Sequence, residues 1–270
     1  GLFLATPRDT YLFTGGSSRN GSPGGGQNPK SGVILDYYLE KASDSAALTL
    51  EILNGNQVIR TYSSDPPKDF KTWLGGPPKP EVLPARAGYN RFYWDFRRDA
   101  LPAVENVFVY GDYRGSRVSP GQYTVRLSQD SLRAEKTVTV LPHPKIEASP
   151  EAYREQQQAL AEIDGAITDM HGSVTQLRKV RAQLDAYDAL LEGNEKAKPL
   201  LEMGSELKDR ITAWEESLIQ PKQKTFQDVI NFNNRLNAEL MDLKSYVDGA
   251  EPEVTRGARE RLADLSSEWE

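Results

Sequence analysis

Four aspartates could in principle perform acid–base chemistry: Asp36, Asp95, Asp99 and Asp112. Glycoside hydrolysis needs two carboxyl groups about 5–10 Å apart, one of them in an apolar pocket that raises its pKa. The spacing of these four aspartates singles out no pair. Acidic residues at strand ends ordinarily accept hydrogen bonds from neighbouring turns. We therefore predict no catalytic carboxylate pair.

The remaining reactive side chains also form no recognisable catalytic or metal-binding pattern. His143 lies in a proline-rich segment and His171 in a helical one, whereas a histidine metal site usually needs clustered ligands. The chain has no cysteine, which excludes disulfides, thiolate zinc sites and cysteine nucleophiles. No Gly-x-Ser-x-Gly elbow occurs. We predict no catalytic residue, no cofactor, no metal site and no enzymatic activity.

Residues 14–32 are rich in glycine, serine, asparagine and proline. The run Gly24-Gly25-Gly26 resembles a phosphate-binding loop but lacks the Gly-Lys-Ser/Thr ending and the strand-then-helix context. Such a composition buries too little surface to offset the entropy of ordering. We interpret this segment as a long loop.

A second cluster of residues could bind a ligand without catalysis. Arginines flank Tyr110 and Tyr113, and Arg114 together with these tyrosines and Trp73 forms a candidate ligand surface for an anion or a carbohydrate. A solvated loop is the alternative interpretation.

From Val33 onward, the first half of the chain shows short β-rich runs separated by turn residues, a pattern typical of an all-β sandwich. Asn54-Gly55 between alternating runs predicts a hairpin, because both residues tolerate positive φ. In the run 89–95, alternation places Phe92 and Trp94 on one face and predicts Trp94 in the core. The predicted strands are 33–39, 47–53, 57–62, 89–95, 121–127 and 135–140.

The second half of the chain shows helical periodicity. Ser149-Pro150-Glu151 combines an N-cap hydroxyl, a proline at the first helical position and an acid in the first turn. Apolar residues at steps of three and four predict a long helix ending near Gly193, a second over 200–218, a third from Thr225 to Val247 and a fourth over 254–269. Short turns between them favour an antiparallel bundle.

These elements predict a multi-domain β + α protein, an immunoglobulin- or fibronectin-III-like β-sandwich followed by an antiparallel helical bundle. The predicted divisions are 1–32 (N-terminal segment and glycine-rich loop), 33–142 (sandwich), 143–148 (linker) and 149–270 (bundle).

The net charge of −6 is unevenly distributed: 1–148 carry 18 basic and 15 acidic residues, and 149–270 carry 15 basic and 24 acidic. An acidic half argues against a nucleic-acid partner, because phosphate binding needs clustered basic residues. No apolar run reaches the roughly 20 residues that span a bilayer. The opening Gly1-Leu2-Phe3-Leu4 has no signal-peptide pattern, so we expect the sequence to be part of a longer chain.

Several stretches of the chain are similar to one family. They are 4–11, 28–39, 87–95, 120–127 and 233–236, including Gly88-Tyr89-Asn90-Arg91-Phe92-Tyr93-Trp94-Asp95 and Pro120-Gly121-Gln122-Tyr123-Thr124-Val125-Arg126-Leu127. On these stretches, the chain resembles the C-terminal region of bacterial exported proteins whose N-terminal part is a sortilin-like β-propeller of BNR or WD40-like repeats. The two stretches quoted in full also resemble the Ig-like domain of the flagellar hook-cap protein.

The resemblance implies an extracytoplasmic bacterial protein, periplasmic or secreted, with the β-propeller of the same chain as a partner. We expect a non-enzymatic structural and interaction module with a protein or glycan partner. The alternative is a carbohydrate-binding module of a glycosidase-like protein.

Overall fold

The computed structural model describes residues 1–13, 30–42 and 46–270, which form two β-sheets followed by five α-helices. The predicted loop 14–32 lies almost wholly outside the described residues. The strands are β1 (Leu2–Leu4), β2 (Thr10–Tyr11), β3 (Val33–Leu39), β4 (Thr49–Asn54), β5 (Gln57–Ser63), β6 (Gly88–Trp94), β7 (Gly121–Gln129) and β8 (Leu132–Leu141). The helices are α1 (Pro150–Leu191), α2 (Lys198–Leu218), α3 (Asp228–Asn231), α4 (Leu236–Val247) and α5 (Arg256–Trp269), with a 3₁₀ turn Glu195–Ala197 before α2.

The two sheets share one hydrophobic cluster. The three-stranded sheet has the order β1-β3-β6, and the five-stranded sheet has the order β2-β8-β7-β4-β5. Every second residue of β3 and of β7 is buried, because successive side chains of a strand point to opposite faces. The six predicted strands are confirmed to within three residues at each end. Gly55, at φ 57°, lies in the predicted hairpin between β4 and β5.

Trp94 lies at the centre of this cluster, as alternation along β6 predicts. Its side chain has no solvent exposure, and its ring contacts Tyr123 edge to face at 5.2 Å. The indole Nε1–H donates to the carbonyl oxygen of Arg97 at 3.0 Å, which satisfies the only polar group of the ring.

The start and end signals of the first helix are confirmed. The Ser149 hydroxyl accepts a hydrogen bond from the Ala152 N–H at 3.1 Å, which satisfies one free donor of the first turn. The helix ends at Leu191, and Gly193 adopts the positive φ of 77° expected just after a helix.

The prediction of one continuous third helix from Thr225 to Val247 is wrong. The structure has the short α3 and then α4, with the non-helical segment 232–235 between them. The Gln223 amide donates to the carbonyl of Phe232 at 2.8 Å and to Asn234 Oδ1 at 3.1 Å, which holds this segment outside a helix. Its two asparagines favour such non-helical conformations, because their side chains compete with backbone hydrogen bonds.

The second hydrophobic cluster combines the helices with the long loop between β6 and β7. That loop belongs by sequence to the 33–142 segment, yet its apolar side chains pack among those of the helices. The loop residues of this cluster are Leu101, Val104, Val107, Val109 and Tyr113, and those of α1 are Ala159, Leu160, Ile163, Ile167, Met170 and Val174. The loop therefore connects the sheets to the helices. Over the described residues, no helix has the length and apolar character needed to cross a membrane.

Candidate functional site

The four residues of the predicted ligand surface do not form one accessible surface. Tyr113 is only 1% exposed and packs beside His171. The prediction that Tyr113 lies on a ligand surface is therefore wrong. Trp73 is half-buried and donates its Nε1–H to the Val107 carbonyl at 2.8 Å. Arg114 pairs with Asp112 at 2.7 Å. Tyr110 remains exposed, with its ring edge to face against Phe226.

The four candidate aspartates are held by hydrogen-bond donors. Asp95 accepts from the Arg97 N–H at 3.3 Å, and Asp99 accepts from the Thr61 N–H at 3.0 Å. Burial acts to raise the pKa of Asp112, but hydrogen bonds from Arg114 hold that pKa below its usual value. A general acid needs a pKa near the working pH. Because its pKa is lowered, Asp112 is ionised at neutral pH and has no proton to donate as a general acid.

The two histidines lie in different environments. His143 stacks on Phe13 with ring centroids 4.8 Å apart. His171 is buried, its Nδ1 lies 2.9 Å from the Pro102 carbonyl, and burial lowers its pKa. Over residues 1–13, 30–42 and 46–270, no group of three or more His, Asp or Glu is arranged to hold a metal ion.

A more distinctive feature is the outward face of the three-stranded sheet, which sequence analysis did not identify as a site. Five large side chains lie on it, and Phe3, Tyr38 and Tyr89 are each at least half exposed. The register places Phe3 opposite Tyr38 and Tyr38 opposite Tyr89, so three aromatic residues form one row across β1, β3 and β6. We call the set of Phe3, Ile34, Tyr38, Tyr89 and Tyr93 the aromatic face.

An ion pair lies within the aromatic face. Arg91 donates through Nε and Nη2 to the two carboxylate oxygens of Asp36, at 2.7 and 2.9 Å, and the Tyr89 hydroxyl donates to Asp36 Oδ1 at 2.6 Å. The Arg91 hydrogen bonds lower the pKa of Asp36, and the Asp36 bond raises the pKa of Tyr89. Asp36 is therefore ionised at neutral pH and fixes two neighbouring side chains.

The aromatic face consists of residue types that are suited to binding a partner. Tyrosine and arginine are enriched at the energetic centres of protein interfaces, since they combine a large apolar area with hydrogen-bonding groups. Alternation along β3 and β6 already indicates that Tyr38 and Tyr89 point away from the core. Only the cross-strand register brings Tyr38 opposite Phe3, 35 positions away in the chain, and Tyr89 opposite Tyr38 on its other side.

A buried ionic cluster joins the sheets to the helices, and we call it the junction cluster: Arg97, Asp112, Arg117, Lys244 and Asp248. Arg97 Nη1 donates to Asp248 Oδ2 at 2.9 Å, and the Arg117 N–H donates to Asp248 Oδ1 at 2.8 Å. Lys244 Nζ donates to the carbonyl oxygens of Asp112 and Arg114 at 3.1 and 2.6 Å, and burial lowers the pKa of this amine. These contacts bind α4 and the residue that follows it to the β6–β7 loop.

The recesses on the described part of the surface include one of about 480 Å³ between α1 and α5, lined by Ala159 and Leu262 among others. Another, of about 60 Å³, lies between the β6–β7 loop and the helices beside Arg178 and Glu215. Neither is lined by the four candidate aspartates or by either histidine.

Comparisons with protein-family models, with curated proteins and with solved structures return no match to this chain.

Proposed function

We propose that this chain is a non-enzymatic structural and interaction module that binds a protein domain through its aromatic face. The observation that carries the proposal is the exposed row of Phe3, Tyr38 and Tyr89 beside the Asp36–Arg91 pair. A large exposed aromatic patch on a sheet is costly to solvate and is typical of a surface that a partner covers.

An Ig-like β-sandwich followed by a helical bundle is the architecture that we propose for this module. The packing of the sheets supports it, since a three-stranded and a five-stranded sheet share one hydrophobic core. The Tyr123 hydroxyl donates to the Ser119 carbonyl at 2.7 Å, near the start of β7. Such a bond from a tyrosine to the backbone a few residues upstream is a recurring feature of Ig-like sandwiches.

The partner that we propose is the β-propeller domain of the same parent protein, in an extracytoplasmic bacterial compartment. Support for this partner comes from the family resemblance of the quoted motifs. The junction cluster supports a structural role, because it holds the helices in a defined position relative to the sheets.

The binding test mixes this chain with the isolated β-propeller domain and measures affinity by titration calorimetry. Tyr38→Ala and Tyr89→Ala are each expected to weaken binding at least tenfold, since central aromatic residues contribute roughly 2 kcal/mol or more. The matched control is Tyr246→Ala, an equally exposed tyrosine on α4, which should bind as the wild type does. Equal affinity of all three variants would contradict the proposal.

A second candidate function is carbohydrate binding. It is favoured by the same aromatic row, because sugar rings stack on exposed aromatic rings and their hydroxyls bond to charged groups such as Asp36 and Arg91. A glycan array with wild type and Tyr89→Ala separates the two functions. Retention of a glycan by the wild type alone would establish carbohydrate binding, and no retention would leave the protein partner as the function.

A further inference from the structure

Helices α1 and α2 extend beyond the rest of the helical part. The 42 residues of α1 span about 63 Å, whereas the 12 and 14 residues of α4 and α5 span only about 18 and 21 Å. Along α1, the buried side chains end at Val174, and the first buried residue of α2 is Ile211. Residues 179–210 therefore form a projecting two-helix hairpin, which we call the arm.

The two helices of the arm contact each other through an ion-pair group and a close approach at Gly204. Lys208 Nζ donates to Asp185 at 3.0 Å and also to Asp188. Gly204 lies against the same side of α1, since a Cβ there would be 3.8 Å from Asp188 Oδ1. Leu184 of α1 lies at the same contact, 4.0 Å from that Cβ. Three large apolar side chains of α2, those of Leu200, Met203 and Leu207, stay exposed beside it.

Those apolar side chains form a line that continues the core-facing side of α2. Leu200, Met203 and Leu207, between 40% and 67% exposed, are spaced by three and four residues. The same line continues through Ile211, Trp214 and Leu218, where Ile211 and Leu218 are buried and Trp214 contacts Trp269 of α5. The apolar line is covered near α5 and uncovered along the arm.

A matching line runs along α1. Val180, Leu184, Tyr187 and Leu191 follow one another at steps of four, three and four residues, and Tyr187 is 60% exposed. Asp188 of α1 contacts Lys208 and faces Gly204 of α2, and the exposed residues Tyr187, Met203 and Leu207 each immediately precede one of these contact residues. In an antiparallel pair, side chains with the same offset from the contact lie on the same side, so the two lines share one side of the arm. We call the two lines together the arm face.

We propose that the arm face binds the arm of a second copy of this chain, so that two hairpins form a four-helix bundle. An antiparallel pair of helices offers one open apolar side, and a two-fold axis brings two such sides together. Covering the exposed side chains on both copies removes on the order of 1,200 Å² of surface, at the lower end of stable interfaces.

The distribution of charge favours a second copy as the occupant. The arm carries six basic and seven acidic residues, whereas the rest of 149–270 carries nine basic and 17 acidic residues. Two copies therefore repel each other over most of the helical part but not at the arm. This self-association involves none of the residues of the aromatic face, so it does not depend on the proposed function.

Sedimentation velocity and light scattering on the whole chain test the proposal. The wild type is expected to form a species of twice the 30.1 kDa chain mass at micromolar concentration. Met203→Glu and Leu207→Glu on α2, and Tyr187→Glu on α1, should each raise the dissociation constant at least about tenfold. The matched control is Leu190→Glu, because Leu190 is 76% exposed on the side of α1 turned away from α2.

Circular dichroism verifies that each variant keeps the helical content of the wild type, which is expected because the substituted positions are exposed. A wild type that stays monomeric up to about 1 mM overturns the proposal, as that concentration marks very weak binding. A dimer that the three arm-face substitutions leave intact, or that Leu190→Glu disrupts equally, overturns it as well.

Discussion

Replacing Asp248 with alanine tests whether the junction cluster holds the sheets and helices together. The Asp248 side chain is 7% exposed and accepts hydrogen bonds from Arg97 and from the Arg117 N–H. Removing one partner of a buried ion pair costs about 3–5 kcal/mol, because the other charge stays buried without compensation. Arg97 keeps the Gly115 carbonyl at 2.7 Å and lies 3.9 Å from Asp112. We therefore expect Asp248→Ala to lower the free energy of unfolding by about 3 kcal/mol, the lower limit of that range.

Urea unfolding followed by circular dichroism measures this loss. With an m-value of about 3 kcal/mol/M, the midpoint of Asp248→Ala should fall by about 1 M. The control is Asp185→Ala, whose carboxylate is 62% exposed and shares Lys208 with Asp188, so its loss should stay below about 0.5 kcal/mol. A loss under about 1 kcal/mol for Asp248→Ala, or one equal to the control, would refute the assigned role of the junction cluster.

Two glycines and one histidine give further predictions. Gly115→Ala should destabilise the protein by about 1–3 kcal/mol in urea unfolding, because its Cβ would lie 2.1 Å from the Asp99 carbonyl oxygen. Gly165→Ala in α1, where no atom lies within 4 Å of the new Cβ, should instead stabilise it by about 0.5–1 kcal/mol, and a loss there would contradict the helix assignment. Burial lowers the pKa of His171 below 6.5, so the stability that the neutral ring contributes is present above pH 6.5 and is lost as the pH falls. Between pH 7.5 and 5.5 the urea midpoint should therefore fall more for the wild type than for His171→Asn; equal falls would show that His171 is not the titrating group. Burial also raises the pKa of Asp164, which acts in the opposite direction, but this contribution is common to both proteins.

Local patterns predicted most of the secondary structure. The alternation of β3 and β6, the Asn54-Gly55 hairpin and the Ser149 cap are properties of a few neighbouring residues, and each is found in the structure. The third helix was predicted wrongly because its interruption depends on Gln223, whose amide binds Phe232 and Asn234 across a turn. A periodic pattern of apolar residues contains no information about such a contact.

The candidate sites were less predictable than the elements that carry them. Sequence analysis chose Tyr113 as a ligand-surface residue because arginines surround it, yet the loop folds inwards and buries it beside His171. It did not single out Tyr38 or Phe3, because an outward-facing aromatic residue forms part of a binding surface only when others lie next to it on neighbouring strands.

The sequence alone determined six of the strands, the long helix α1 with its start and end, and which residues of β3 and β6 face the core. These features depend on backbone propensity, capping and the period of apolar residues, all of which act within a few residues. The tertiary structure alone decided that the β6–β7 loop joins the helical core, that Arg97 meets Asp248 from 151 positions away, and that aromatic residues of three strands form one row. Such contacts depend on how distant elements pack, and the free energy of that packing is not encoded in any single local pattern.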